Sequence, residues 1–279
     1  MVINKIISIF LILILIFSVP VSAQSGDTAA VPVLMYHSVS DSGEYVVISP
    51  ENFRKHLEAI EENGFTPVSL DDLIKYVDYG FPLPEKPVCI TFDDGYLDNY
   101  TEAFPLLKEF GFKATIFAIV SSVGKETYKN TTYGITPHFD YEQAKEMIDS
   151  GLISIQSHTY DMHQSTKFES GPVRETVLRL ENEGLMDYIT RFRGDVLTSK
   201  TILETELEKP LVGFAYPLGK YNAITDYILK SNGIRVTMAT SVGMNYIKAY
   251  DKNSLYNLHR YNINDDVSAE LLINWLSGE

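Results

Sequence analysis

The sequence predicts an α/β protein folded as a (β/α) barrel, and three observations carry that prediction. Strand-like segments alternate with helical ones along residues 31–279, the pattern of a parallel sheet covered by helices. Seven such strands without a glycine-rich nucleotide fingerprint fit a barrel better than an open doubly wound sheet. The residues most suggestive of chemistry (His37, Asp93, Asp94, His158, Pro217 and His259) fall at carboxyl ends of strands, where barrels gather their sites.

Taken in order, Val33 to His37 reads as the first strand. Ser49 caps a helix with Pro50 in its first turn, closed by Gly64. Ser69 to Asp72 cap a second helix that ends near Gly80. Val88 to Phe92, bounded by Pro87, is a short buried strand, and a helix follows from Thr101 to Phe110 with Gly111 as its stop. Lys113 to Ile119 is the next strand, and Ser121 to Pro137 has no period and reads as a surface loop. Asp140 starts a helix that stops at Gly151, and Leu152 to Gln156 is a strand. Helices are expected near Val173–Asn182 and Ser199–Glu208. Gly213 to Pro217 is a strand, Ile224 to Ser231 a helix, Arg235 to Ala239 a strand and Leu255 to Ile263 the last strand. Ser268 caps a final helix through Trp275.

Residues 1–23 have the build of a secretory signal: Lys5, an apolar run from Ile6 to Val19, and Val21-Ser22-Ala23 as a small-residue cleavage site. The run is short for a membrane span, though an uncleaved anchor stays open. A short tail, 24–30, precedes one domain at 31–279. With 45% hydrophobic residues, that domain can bury a sizeable core. Cys89 is the single cysteine, so an exported form must rely on its core rather than on disulfides. The net charge of −14 argues against nucleic acid and anionic membrane surfaces as partners. A monomer is expected, secreted or held at the cell surface.

Asp93 and Asp94 close the strand that begins at Val88. Adjacent strand residues point to opposite faces, yet a sharp turn at Gly95 can aim both carboxylates at one cavity. Mutual repulsion then raises one pKa unless a cation sits between them. Alone, the pair reads more readily as a solvated turn in which Asp94 caps the next helix. His158 and His163 would stand about 140° apart on a helix and converge only through an irregular connection. Two imidazoles with one carboxylate make a familiar zinc site with room for water and substrate.

Thr91-Phe92-Asp93-Asp94-Gly95 matches the first motif of the polysaccharide deacetylases, carbohydrate esterase family 4, and Ser157 to His163 resembles their histidine motif. Leu34-Met35-Tyr36-His37 and Phe214 to Gly219 also resemble segments of secreted bacterial members, so the likeness spans most of 31–265. It implies a distorted (β/α)7 barrel and a divalent metal, usually zinc, held by Asp94, His158 and His163. It implies that Asp93 is the general base activating water for attack on an N-acetyl carbonyl, giving acetate and a free amine.

Three departures stand out. The second histidine comes one residue later than in the commonest pattern, at His163 with Met162 before it. This spacing resembles the branch that includes poly-N-acetylglucosamine deacetylases. The usual arginine motif is replaced by Tyr216-Pro217-Leu218-Gly219, and the donor to the acetyl oxygen maps to the Leu218 amide. The late Leu-x-His motif is echoed only loosely by Leu255 to Arg260. There His259 is a candidate general acid, or Arg260 orients the base. Strand alternation lets only one of the two face the mouth. His37 is expected to contact substrate or support the ligands, and Tyr128, Tyr133 and Tyr160 could stack on sugars. His56 and His138 receive no role. The partner implied is an N-acetylated glycan, with an O-acetyl polysaccharide esterase and an inactive carbohydrate binder as the competing readings.

Overall fold

A computed structural model describes residues 27–41 and 46–278; the segment 1–23, read above as a secretory signal, lies outside them. In chain order the strands are β1 (Thr28–Val31), β2 (Val33–Tyr36), β3 (Ser38–Val39), β4 (Val47–Ile48), β5 (Thr66–Pro67), β6 (Pro87–Asp94), β7 (Ala114–Ala118), β8 (Ile153–Ser157), β9 (Gly213–Ala215), β10 (Val236–Met238), β11 (Asn245–Lys248) and β12 (Tyr261–Asn262). The α-helices are α1 (Pro50–Glu62), α2 (Leu70–Tyr79), α3 (Phe104–Phe110), α4 (Tyr141–Asp149), α5 (Leu185–Leu207), α6 (Ala223–Ser231) and α7 (Ala269–Ser277). Their starts follow local chemistry. Ser49 and Ser268 accept first-turn amides, and Ser69–Asp72, Asp140–Gln143 and Asn222–Thr225 form reciprocal capping boxes.

The main sheet runs β10-β9-β8-β7-β6-β2-β12, all in parallel, with β5 added beside β6. It curls into the distorted (β/α)7 barrel that the sequence predicted. One short segment reaches both of its ends: Leu258 bridges Met238 on β10, and Tyr261–Asn262 pairs with Leu34–Met35 on β2. β6 lies inside this order between β7 and β2, and all eight of its residues are buried. Its alternate residues Val88, Ile90 and Phe92 join the large apolar cluster under the helices. Cys89 joins a second cluster with Val33, Phe117, Ala215, Val236 and Met238.

The structure departs from expectation in four places. Residues 28–30, read as tail, belong to β1, which pairs antiparallel with β11 and sends Val31 into the second cluster. No helix covers Val173–Asn182; the segment is irregular, and Glu183 gathers Arg174 and Arg191 at its end. The helix after it begins at Leu185, not Ser199, which lies buried in mid-helix. The last strand expected over Leu255–Ile263 is broken into a turn ending at Leu255, the bridge at Leu258 and the short β12.

Candidate active site

The turn after β6 places two carboxylates together. Asp93 occupies an inward position of the strand, and Asp94 would point the other way if the strand continued. Instead Asp94 has φ 72° and Gly95 φ 83°, both left-handed, and the chain reverses. Only glycine fits at 95, because a Cβ there would stand 3.0 Å from that of Ala118.

The two carboxylates have different surroundings. Asp93 receives Arg260 Nη1 and Nη2 at 2.7 Å each, a bidentate pair in which Arg260 is wholly buried. Arg260 is itself fixed by the Ala239 carbonyl at 2.8 Å. Burial alone would raise the Asp93 pKa, but the guanidinium outweighs it and holds the carboxyl well below the usual carboxylate range. Asp94 has no such partner. Its Oδ1 is buried without a hydrogen bond, 3.6 Å from His158 Nε2 and 3.7 Å from His163 Nε2.

His158 and His163 converge because their connection is irregular. Thr159 takes φ 78°, and its Oγ1 accepts the Met162 amide at 3.0 Å. Asp195 on α5 accepts the amides of Tyr160 and Asp161 at 2.8 Å each. Met162 turns into the apolar cluster, and the imidazole rings meet edge to face with centroids 5.0 Å apart. Each ring is oriented through Nδ1, which bonds the Ala215 carbonyl for His158 (2.8 Å) and that of Glu175 for His163 (3.2 Å). A donating Nδ1–H leaves the Nε2 lone pair free to bind a metal. Burial pushes the His158 pKa down to about 4, so near neutral pH its contact with Asp94 is not an ion pair.

These groups fit a divalent cation. One ligand atom from each of Asp94, His158 and His163 lies within 4.8 Å of the others. Two atoms on a tetrahedral zinc stand about 3.4 Å apart, close to the carboxylate–imidazole separations here. The orphaned Oδ1 of Asp94 is the polar atom that a cation would satisfy.

The remaining expected site residues divide. His37, at the end of β2, is half-buried, its Nδ1 lacks a partner, and it lies near enough to act electrostatically on both aspartates. His259 is exposed, its ring beside Gly243, so the alternation turned Arg260 inward and His259 out. Tyr216 also departs from the expected substrate contact: its side chain is buried and its hydroxyl donates to Asp226 at 2.6 Å. Pro217 is buried, whereas Leu218, at φ 53°, stands exposed on a cleft of about 530 Å³. Asp94, Tyr96, His163, Tyr128 and Phe168 also line that cleft, and the Tyr128 and Phe168 rings stack at 4.9 Å. Sequence reasoning missed Asp195, a polar residue among others on a long helix, with no local signal of what it holds.

The residues 81–237 match the family model described as polysaccharide deacetylase. YxkH of Bacillus subtilis, which is named for the same family, is 31% identical over 86% of this chain and 74% of its own length. Poly-beta-1,6-N-acetyl-D-glucosamine N-deacetylase of Escherichia coli K12 is 27% identical over 76% of this chain, which spans only 34% of that protein. The structure of IcaB from Ammonifex degensii superposes with a TM-score of 0.72 at 27% identity, over 90% of this chain and 98% of that one. The matched region takes in the whole Asp94–His158–His163 cluster and Asp93, and the chain belongs to the polysaccharide deacetylase family.

Proposed function

We propose that the protein removes N-acetyl groups from an N-acetylglucosamine-containing polysaccharide, consuming water and releasing acetate and a free amine. The observation that carries this reading is the convergence of Asp94, His158 and His163 beside a second, separately held carboxylate, Asp93. The name of the Escherichia coli relative supports the glycan, and the high negative charge suits a neutral sugar polymer better than an anionic one.

Asp94 Oδ1, His158 Nε2 and His163 Nε2 would hold the cation, and the mixed nitrogen and oxygen donors suit zinc. When bound, such a cation supplies Lewis acidity, lowering the pKa of a water and polarising the acetyl carbonyl. Asp93 is the base. Each of its oxygens takes one bond from Arg260 and keeps a lone pair that can accept the proton of the attacking water. The Leu218 amide is the donor to the acetyl oxygen as charge develops there. His37 replaces His259 as the group that returns a proton to the departing nitrogen, because it lies beside both aspartates while His259 faces solvent. The enzyme works outside the cytoplasm, a location that rests on the charged, apolar and small-residue order of residues 1–23.

Acetate release from N-acetylglucosamine oligomers and from an acetylated xylan, each with and without a strong chelator, tests the reading. Release from the oligomers, abolished by chelator and restored by zinc while the circular dichroism spectrum persists, is expected. Full activity in a metal-stripped preparation, or preference for the xylan ester, overturns it.

A further inference from the structure

The site described above leaves His138 unused. It lies where the chain returns beside the Asp94–Gly95 turn. Leu97 donates to the Pro137 carbonyl at 2.7 Å, and Tyr96 and His138 form an antiparallel bridge. His138 is 8% exposed and lines the same cleft as Asp94 and His163. Neither Nδ1 nor Nε2 meets a partner at good hydrogen-bonding geometry; the Thr136 backbone is close enough for only a poorly aligned bond. The Tyr96 ring packs against it at 5.1 Å. Burial lowers its pKa against the opposing pull of Asp94, so near neutral pH it offers one donor and one acceptor.

A buried imidazole with no well-formed hydrogen bond and only a poorly aligned backbone contact weakens a fold, because water has been stripped from groups that regain little in return. A phenyl ring would fill the place beside Tyr96 without that loss. Such a group belongs to a ligand that brings its own donor and acceptor, as a sugar hydroxyl or acetamido group does. His138 is not among the atoms clustered within 4.8 Å at the metal site.

We infer that His138 is a substrate-contact residue, hydrogen-bonded to a hydroxyl or acetamido group of the sugar seated in the cleft beside Asp94. The inference rests on the glycan-deacetylase reading and adds the residue that seats the sugar.

The test uses the zinc-loaded full chain, its His138→Phe variant and the His138→Gln variant, which keeps a donor and an acceptor. Binding of an N-acetylglucosamine tetramer is measured by calorimetry, and kcat and KM are measured on the same tetramer. Hydrolysis of nitrophenyl acetate, Tm and zinc content complete the set. For His138→Phe we expect Kd and KM for the tetramer to rise about tenfold, the worth of one lost hydrogen bond. The kcat, nitrophenyl acetate hydrolysis and zinc content should hold, with Tm no lower than the parent's. The glutamine variant should recover part of the affinity. If the phenyl ring overfills the site, His138→Ala carries the same measurements. Unchanged tetramer affinity, a parallel loss on the ester, loss of zinc, or a lower Tm in both the phenylalanine and alanine variants overturns the inference. So does failure of the parent to bind the tetramer. A parent that binds it without releasing acetate breaks the deacetylase reading instead, and the binding comparison still decides His138.

Discussion

The candidate metal site is built from two halves held in different ways. Its carboxylates come from β6, buried along its whole length between β2 and β7, and Asp93 is further locked by the Arg260 fork. Its imidazoles come from the irregular loop after β8, which stays in register with the chain beyond β7 only as far as Tyr160: His158 N–H bonds the Ala118 carbonyl, and the Thr159 and Tyr160 carbonyls accept the Val120 and Ser121 amides. Beyond those bonds the rings and the loop are held by distant groups: the Ala215 and Glu175 carbonyls and the Asp195 carboxylate. The strand-borne half, and His158 with it, therefore shares the stability of the sheet, whereas His163, past the last of those backbone bonds, can be displaced with the sheet intact. A perturbation of the first should be read in unfolding, and one of the second chiefly in metal affinity.

Arg260→Ala is the largest break. It strands a buried carboxylate, so a loss of about 3–5 kcal/mol in denaturant unfolding is expected, with turnover lost as well. The pH dependence follows from the depressed Asp93 pKa: its stabilisation is present above the unfolded value of about 3.9 and fades only as pH falls through the lower folded value. Without the guanidinium that folded value rises, and acid unfolding of the variant should begin at higher pH. An unchanged acid limb would mean that the fork contributes little.

The two aspartates sharpen the contrast within one half. Asp93→Asn should keep its metal and lose about 10²–10⁴-fold in turnover, since an amide cannot take the proton. Asp94→Asn should lose metal outright, measured as zinc per chain; equal metal loss from both would show the pair to be misassigned.

Asp195→Asn probes the loop half with a smaller effect. One of two loop amides loses its acceptor, and zinc affinity should fall about 10–100-fold while the sheet unfolds much as before. The Asp195 pKa is raised to about 6, burial being the main cause. Its contribution to stability is thus full below the ordinary aspartate value and is lost as pH rises through about 6. The stability deficit of Asp195→Asn should shrink over that interval; a deficit that grew with pH would refute this account. Met162→Leu, on the buried side of the same loop, should cost under about 1.5 kcal/mol and leave zinc affinity alone.

What could be read from the sequence follows the same division. Asp93-Asp94-Gly95 is a local statement: the left-handed pair at 94 and 95 follows from a glycine at the close approach to Ala118, and three consecutive letters display it. Strand alternation correctly made His259 and Arg260 exclusive, but which one faces inward depends on the pairing of Leu258 with Met238, a long-range fact. Val173–Asn182 misled because its apolar spacing resembles a helix. The segment instead offers a backbone carbonyl, that of Glu175, to His163, and a helix interior would have spent that carbonyl on itself. Tyr216 sat in a suggestive motif, yet only the position of Asp226 reveals that the phenol faces inward.

The Arg260–Asp93 contact joins positions 167 residues apart. The segment that carries Arg260 also bonds β10 and β2 on either side of it. A chain emerging from the ribosome therefore holds both aspartates long before the arginine that neutralises one of them. Until that segment arrives the barrel is open between β10 and β2, and Asp93 is a charge facing an apolar interior, which favours leaving β6 hydrated. Pairing of Asp93 thus coincides with closure of the sheet, and under the proposed mechanism an incomplete chain would be kept both loose and inactive by the same missing residue.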